Sequence, residues 1–284
     1  MGLVRLDSGK TGFLGPAGTW SEEALLARTG LTTADAVPLP SVPDVILAVS
    51  KGELDQGIVP LENALEGSIS VTLDYLAFEV ENIFIVREID HPIRQKLIVK
   101  APLQLSEIEK VISLPHALAQ CRRFLRDSLP GVETAAAGST AEAVKMVSES
   151  PEKWAAIGSQ LAADIYGCAV LEEDIADRPE NETRFALLRA EPAAQDLSGS
   201  YKTSIVCTIA HDQPGSLLQI LQEFSNRYVN LTKIESRPSK KGLGDYVFFI
   251  DVEGRQADPP VAAALKCLEC KLARVKLLGS YPAD

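Results

Sequence analysis

From Thr11 to about Ala190 the chain alternates short apolar runs of strand length with amphipathic stretches that carry helix-start signals. The strand candidates are T-G-F-L-G, A-V-P-L, Q-G-I-V-P, I-F-I-V-R-E-I, K-L-I-V-K, K-V-I-S, A-A-I-G and F-A-L-L. Thr19 with Glu22, Ser106 with Glu109 and Ser139 with Glu142 have the S/T-x-x-E spacing of a capping box, and Ser41 with Asp44 is a looser version. Strands alternating with capped helices predict an α/β layer architecture with parallel strands. Glu191 to Ser200 has no periodicity and reads as a linker. Beyond it, Y-K-T-S-I-V-C-T-I-A alternates as a strand, and Pro214-Gly215 opens a helix with Leu217, Leu218, Leu221 and Phe224 on one face. A strand N-L-T-K-I-E-S-R-P, a G-L-G turn, a strand D-Y-V-F-F-I-D-V-E, a helix after Pro259 and Pro260 and a last strand R-V-K-L-L-G-S-Y complete the order βαββαβ, which is ferredoxin-like.

The 284 residues carry a net charge of −11 with no basic tail or Lys/Arg cluster, which argues against phosphate-driven nucleic-acid binding. A small anionic ligand would need local positive groups against that field. No apolar run reaches membrane-span length, and the first ten residues lack the apolar core of a signal peptide. Five scattered cysteines fit a reducing cytoplasm. Cys267 and Cys270 form the sole C-x-x-C. With no second pair and no nearby His, they read as core positions of a helix rather than as a zinc site.

Five stretches of the first region place polar groups where strands end. Gly15 to Leu26 (G-P-A-G-T-W-S-E-E-A-L-L) runs from a strand through a turn into a capped helix, with Thr19 and Ser21 beside free backbone N–H groups. Taken alone it is an ordinary strand–turn–helix junction. Gly57 to Leu76 puts Glu62 and Asn63 at a strand's carboxyl end, the edge at which open α/β sheets bind ligands; a polar loop capped by Asn63 fits equally well. Ser113 to Leu125 (S-L-P-H-A-L-A-Q-C-R-R-F-L) offers Ser113 and His116, a His that reads first as a solvent-facing residue of a helix's opening turn. Ala137 to Val144 brings Ser139 and Thr140. Asn181 to Phe185 (N-E-T-R-F) sets an amide, a carboxylate, a hydroxyl, a guanidinium and a ring at the start of a strand. Together they suit a small anion held in a cleft between two lobes.

Taken in order, G-P-A-G-T-W-S, V-P-L-E-N-A-L-E-G-S-I-S-V-T-L-D, S-L-P-H-A-L-A-Q-C, N-E-T-R-F and N-L-T-K-I-E-S-R-P closely resemble prephenate dehydratase, over nearly the whole chain from Gly12 to about Gly279. The second region resembles an ACT domain, that family's phenylalanine-sensing module. The resemblance implies a two-lobed catalytic domain over residues 11–190, like a type 2 periplasmic binding protein, with a hinge near 88–92 and 158–165. A linker at 191–200 and an ACT domain at 201–282 follow. It implies that prephenate loses carbon dioxide and its ring hydroxyl to give phenylpyruvate, with no cofactor, in a cytoplasmic homodimer or homotetramer assembled through the ACT domain. The chain shows no chorismate-mutase-like extension and is expected to be monofunctional.

By the same resemblance Thr183 is the essential hydrogen-bond donor to the departing oxygen, Arg184 the counter-charge for a substrate carboxylate, and Phe185 a shield against water. Thr19, Ser21, Asn63, Ser113, His116, Ser139 and Thr140 are implied substrate contacts. Glu62 is a further candidate, although a carboxylate facing a dianion repels it. The chain departs from the family pattern at Ala64, where Ser is usual, and at Ser113-Leu114-Pro115-His116, where Ser-His-Pro-Gln is usual. His116 would partly fill the role of the usual His. D-Q-P-G-S-L from Asp212, together with Asn230, Leu231, Thr232, Glu235, Ser236, Arg237 and Pro238, matches the phenylalanine-binding motifs, and implies contacts from Gly215, Ser216 and Leu217 as well. Ser216 stands where Ala is commoner. Arogenate, which carries an amine in place of the keto oxygen, is an alternative substrate, and a silent two-lobed sensor with an amino-acid domain is an alternative function.

Overall fold

The computed structural model describes residues 9–194, 199–209, 213–240, 242 and 245–283. Positions 195–198 of the expected linker, Asp212, and Leu243 and Gly244 of the expected turn lie outside the described residues, as do residues 1–8. The chain divides into two compact units: Met1–Val45, Gly57–Ile69 and Ile89–Phe185 in one, Ile46–Gln56, Ser70–Glu88 and Ala186–Asp284 in the other.

In chain order the elements up to the middle of the chain are β1 (Thr11–Leu14), α1 (Trp20–Thr29), β2 (Ala36–Leu39), α2 (Val42–Ser50), β3 (Gln56–Asn63), β4 (Gly67–Ser68), α3 (Ser70–Asp74) and β5 (Phe84–Pro92). Next come β6 (Lys96–Val99), β7 (Lys110–Ser113), α4 (Pro115–Gln120), α5 (Arg122–Ser128), β8 (Glu133–Ala136), α6 (Thr140–Glu149), β9 (Trp154–Gly158), α7 (Gln160–Ile165), β10 (Ala169–Glu172) and β11 (Glu182–Arg189). A π-helical turn, Tyr75–Glu79, follows α3 directly. One sheet has the order β2-β1-β3-β11-β5 with β4 on β3, and a second has the order β10-β6-β9-β7-β8.

These two sheets are the two lobes that alternating strands and helices predict, but they are mixed rather than parallel. β1 with β2, β7 with β8 and β7 with β9 run parallel, whereas β6 runs antiparallel to both β9 and β10. Parallel neighbours need a crossover of a dozen residues. β6 is fed from β5 by residues 93–95 alone, so the passage between sheets sets its direction. The outward passage falls at residues 93–95, just after the 88–92 expected for a hinge. The return does not fall at 158–165: β9, α7 and β10 all stay with the second sheet, and the chain re-enters the first only at Glu182. The return strand is anchored there by the Ile93 N–H donating to Asn181 O at 2.9 Å.

The second lobe's core is built from β-branched and small residues. Val111, Ala155 and Ile157 pack with Ala117 and Cys121 on one side of the sheet; Ile98, Ile112 and Ala156 pack with Ala141, Val144 and Val147 of α6 on the other. Small residues also permit a close approach at the first strand–helix turn. Gly18 has φ +87°, and a Cβ there would lie 2.9 Å from Ala162 Cα. Ser159 donates to Gly18 O at 3.0 Å and the Tyr166 hydroxyl to Ala17 O at 3.0 Å, so α7 and its cap hold this turn against the second lobe.

The capping signals divide. Ser139 caps α6 as its spacing predicts, accepting from Glu142 N at 2.9 Å. Thr19 does not cap with its side chain: its hydroxyl donates back to Leu14 O at 2.7 Å, while Glu22 accepts from Gly18 N at 2.6 Å. The Ser106–Glu109 box is displaced by two residues, onto Gln104 and Glu107 around a short 3-10 turn.

The remaining elements are β12 (Tyr201–Thr208), α8 (Ser216–Ser225), β13 (Leu231–Pro238), β14 (Tyr246–Glu253), α9 (Pro259–Lys271) and β15 (Arg274–Pro282), with sheet order β13-β14-β12-β15. This is the expected ferredoxin-like βαββαβ order. Ile205, Ile250 and Val252 of the sheet pack against Ile220 and Phe224 of α8 and Ala264 and Leu268 of α9. Cys267 and Cys270 do not form a core pair as expected. Cys267 is half-buried and accepts from Arg227 Nη2 at 3.2 Å, while Cys270 is exposed. Their i,i+3 offset spans the boundary between the packed and solvated faces of α9.

Substituting Gly18 by Ala forces both a positive φ and a backbone clash. We expect a loss of roughly 1–3 kcal/mol of stability by chemical denaturation; an unchanged midpoint would contradict the packing of α7 on this turn.

Candidate active site

Strand β11 delivers the N-E-T-R-F residues with the period of two that a strand imposes. Thr183 and Phe185 point one way and are buried; Arg184 points the other way and is half-buried. The same alternation at the end of β3 separates Asn63 from Glu62. Arg184 Nη2 meets Glu62 Oε2 at 3.2 Å on the face away from Thr183.

Asn63 is the organising residue. Its Oδ1 accepts from the backbone N–H of Leu65 at 3.0 Å and of Glu66 at 3.1 Å, which fixes the orientation of the carboxamide. Its Nδ2 is thereby directed at Thr183 Oγ1 (2.9 Å), Asn181 Oδ1 (3.0 Å) and Glu182 O (3.2 Å). The Thr183 oxygen accepts from Asn63, so its own hydrogen remains available for donation. The network continues outward. Asn181 Nδ2 donates to Gln120 Oε1 at 3.3 Å, Gln95 Nε2 donates to the same oxygen at 3.4 Å, and Gln120 Nε2 donates to Glu66 Oε1 at 3.2 Å. It joins β3 and β11 of the first lobe to α4 of the second.

Beside this network lies a cavity of ≈ 750 Å³, lined from both lobes. Thr183, Phe185, Asn63, Pro60 and Ile69 contribute from one side, with Thr19, Trp20 and Ser21 of the first turn; Leu114, His116, Gly138, Ser139, Thr140, Glu142 and Lys145 contribute from the other. The starts of α1 and α6 enter it in the same way. Each has a hydroxyl at the cap position, and each has a Glu three residues on whose carboxylate accepts from the preceding glycine: Gly18 N to Glu22, and Gly138 N to Glu142 at 2.7 Å. At both helix starts a glutamate carboxylate thus takes up one of the free backbone N–H groups.

Of the residues expected from sequence, Thr183, Phe185, Asn63, Thr19, Ser21, His116, Ser139 and Thr140 are gathered around this one cavity. Three are not. Arg184 and Glu62 form their ion pair on the opposite strand face, because adjacent strand residues cannot share a face. Ser113 is buried, with its hydroxyl donating to Ile157 O at 2.7 Å, so it ties β7 to β9 instead of reaching a ligand. Sequence reasoning singled out Asn181 as part of N-E-T-R-F but gave it no role, and it passed over Gln120 and Lys145. Asn181 lies two residues before Thr183 on a strand face, and Lys145 lies three after Glu142 on a helix face, so both were accessible from spacing alone.

In the βαββαβ module, Gly215 has φ +92° and caps α8, a conformation that glycine adopts without strain. The Ser216 hydroxyl accepts from Gln213 N at 3.1 Å, Asn230 Nδ2 donates to Glu253 Oε1 at 3.0 Å, and Leu217 and Leu231 pack on the module's core. Thr232 donates to Asp251 O at 3.4 Å, and Ser236 and Pro238 are exposed on β13. Glu235 meets Lys233 at 3.3 Å and Arg237 at 3.6 Å. Arg237 does not face outward as a ligand contact. Its Nε donates to Asp74 Oδ1 at 2.8 Å and its Nη1 to Ser70 Oγ at 2.9 Å, and Lys240 meets the other Asp74 oxygen at 2.9 Å. The buried Lys276 ammonium donates to Leu76 O at 2.6 Å and to Val80 O, the carbonyls at the end of the π-helical turn. Burial pushes the Lys276 pKa below the ordinary lysine range.

These features define the class: a two-lobed domain like a periplasmic binding protein, with a cavity between its lobes, followed in the chain by a ferredoxin-like module. A family model for prephenate dehydratase matches residues 11–193, and one for the ACT domain matches residues 203–269. Prephenate dehydratase of Bacillus subtilis is 39% identical over 281 residues, covering 96% of this chain and 98% of that protein. The crystal structure of prephenate dehydratase in complex with L-Phe from Arthrobacter aurescens superposes with a TM-score of 0.88 at 36% identity, covering 96% of this chain and 90% of that one. A structure described as a novel type of quorum quenching acylase superposes at 0.85 with 28% identity, covering 96% and 97%. The chain belongs to the prephenate dehydratase family and carries an ACT domain.

Asp74 anchors two basic residues, and the sign of its titration follows. Burial raises its pKa, but the bonds and charges of Arg237 and Lys240 outweigh that and hold it below 3.8. A depressed carboxylate contributes stability that is complete above the unfolded value and is lost as pH falls through the folded one. Asp74→Asn is therefore expected to cost roughly 1–3 kcal/mol at neutral pH. The difference from wild type should shrink as pH is lowered below 3.8. A difference that stays constant across that range in denaturation experiments would contradict the assignment.

Proposed function

We propose that this chain converts prephenate to phenylpyruvate, carbon dioxide and water, and that L-phenylalanine acting at the ACT domain inhibits it. The observation that carries the reading is the Thr183 hydroxyl, fixed by Asn63 at 2.9 Å and lining the shared cavity. Catalysis belongs to residues 11–190 and regulation to residues 201–282.

The bond from the ring to its carboxylate breaks, and the electron pair enters the ring as carbon dioxide leaves. The ring C–O bond breaks in turn, and the oxygen departs with its pair and becomes water by taking up a proton from solvent. Aromatisation drives both events, so the chain's task is to hold the substrate and stabilise charge as it builds on the departing oxygen. Because Asn63 donates into the Thr183 oxygen, the Thr183 hydrogen is left to point at the leaving group. A threonine hydroxyl is too weak an acid to surrender its proton at neutral pH, and a donated bond that strengthens in the transition state is the role it can fill. Phe185, Trp20 and Leu114 supply apolar walls that exclude water from the ring. Removing water also weakens the hydration that stabilises the departing carboxylate. Thr19, Ser21, Ser139, Thr140 and His116 provide hydrogen-bond partners for the substrate's polar groups. Arogenate presents the same ring and leaving group. The reading also has the chain assemble through its ACT domain into a homodimer or homotetramer, and act in the cytoplasm.

Purified protein given prephenate and, separately, arogenate should release phenylpyruvate from the first faster than phenylalanine from the second; the reverse order would make it an arogenate enzyme. Thr183→Ala should lower kcat by roughly 10²–10³-fold with little change in KM, and Thr183→Ser should restore most of it. Full turnover in a folded Thr183→Ala protein would refute the mechanism. Saturating L-phenylalanine should lower turnover of the wild type, and turnover that does not respond would refute the regulatory half.

A further inference from the structure

The proposed substrate is a dianion, and the net charge of the chain is −11, so the cavity needs a local cation. Sequence reasoning offers Arg184, but its guanidinium faces Glu62 on the far side of β11. Among the described residues lining the cavity, Lys145 is the only Lys or Arg. We propose that Lys145 binds the carboxylate of the substrate's pyruvyl side chain and sets the enzyme's affinity for it. The inference rests on the reading of the chain as a prephenate dehydratase.

The position is rigid where it must be and loose where it can be. Helix α6 is fixed by the Ser139 cap and by Ala141, Ala143, Val144 and Val147, all buried. The stem of Lys145 therefore rises from a firm base, on the same helix face as Glu142 three residues earlier. Among the described residues its ammonium meets only Glu149, at 3.9 Å and i,i+4 along the same helix, with both side chains more than half exposed. Such an exposed pair contributes little, so a carboxylate entering the cavity displaces it at little cost. Glu142 Oε2 is held by Gly138 N at 2.7 Å, and among the described residues Glu142 forms no ion pair with Lys145.

The chemistry decides which of the two substrate carboxylates Lys145 takes. The ring carboxylate gives up its charge as carbon dioxide forms. A cation held tightly to it would stabilise the ground state more than the transition state and slow the reaction. The side-chain carboxylate keeps its charge from substrate through transition state to phenylpyruvate. A cation placed there contributes uniform binding, which appears in KM and not in kcat.

The test is the steady-state kinetics of Lys145→Met and Lys145→Arg on the full chain, with circular dichroism to confirm folding and phenylpyruvate as a product inhibitor. Lys145→Met should raise KM for prephenate roughly tenfold or more and raise Ki for phenylpyruvate by the same factor. Its kcat should change by less than about threefold, and Lys145→Arg should recover most of the loss. A rise in kcat, with KM for prephenate increased but Ki for phenylpyruvate unchanged, would place Lys145 on the ring carboxylate and overturn the assignment. Unaltered KM and Ki would remove it from the site. A wild type that neither binds nor turns over prephenate would refute the proposed function itself, and the role of Lys145 would fall with it.

Discussion

The bond from Asn63 Nδ2 to Thr183 Oγ1 joins the end of β3 to the start of β11, and the proposed chemistry depends on it. A hydroxyl is a poor catalyst because it can donate or accept in any rotamer. Asn63 removes that freedom. Two backbone N–H groups lock the carboxamide oxygen, the amide nitrogen therefore faces Thr183, and the hydroxyl hydrogen has the cavity as its remaining direction. The network through Asn181, Gln120, Gln95 and Glu66 surrounds this bond with further amides, buried at Asn181 and Gln95. Polar networks of this kind are rigid when satisfied and costly when broken. Because Gln120 belongs to the second lobe, the geometry at Thr183 also depends on how the lobes meet.

The cavity reconciles an acidic protein with an anionic ligand by local means. Two helix starts point into it, each prepared by a strand, a glycine, a capping position and a glutamate that folds back on the glycine. One lysine supplies a full positive charge. The rest of the wall is hydroxyls and apolar groups with Asn63, His116, Glu66 and Glu142. The solved structure described as a quorum quenching acylase shows that a fold this similar is compatible with another reaction. What separates the reactions must therefore be sought in the side chains of the cavity and not in the strand order.

Much of the fold was legible in the sequence. Every apolar run singled out became a strand, because β-branched residues such as those of K-L-I-V-K and K-V-I-S mark buried strands by composition alone. β8, E-T-A-A, and β10, A-V-L-E, escaped notice. Both lie at sheet edges and bury little, so they lack the apolar run that betrays a central strand. The site was legible in part. Thr183 and Asn63 stood out as polar residues at strand ends, yet the reading placed Arg184 beside Thr183 in one pocket. Strand alternation forbids that, and the rule was available before any coordinates. The reversed direction of β6 and the pairing of Arg237 with Asp74 were not legible, since each depends on segments far apart in the chain meeting in space.

The central claim is that Asn63 and Thr183 act as one unit, and a double-mutant cycle on kcat measures this directly. With Asn63→Ala, Thr183→Ala and the double variant compared against wild type, the account predicts that the double variant is no slower than Thr183→Ala alone, because an aligner has nothing to align once the hydroxyl is gone. Losses that simply multiply would mean that the two side chains act independently, and would contradict it.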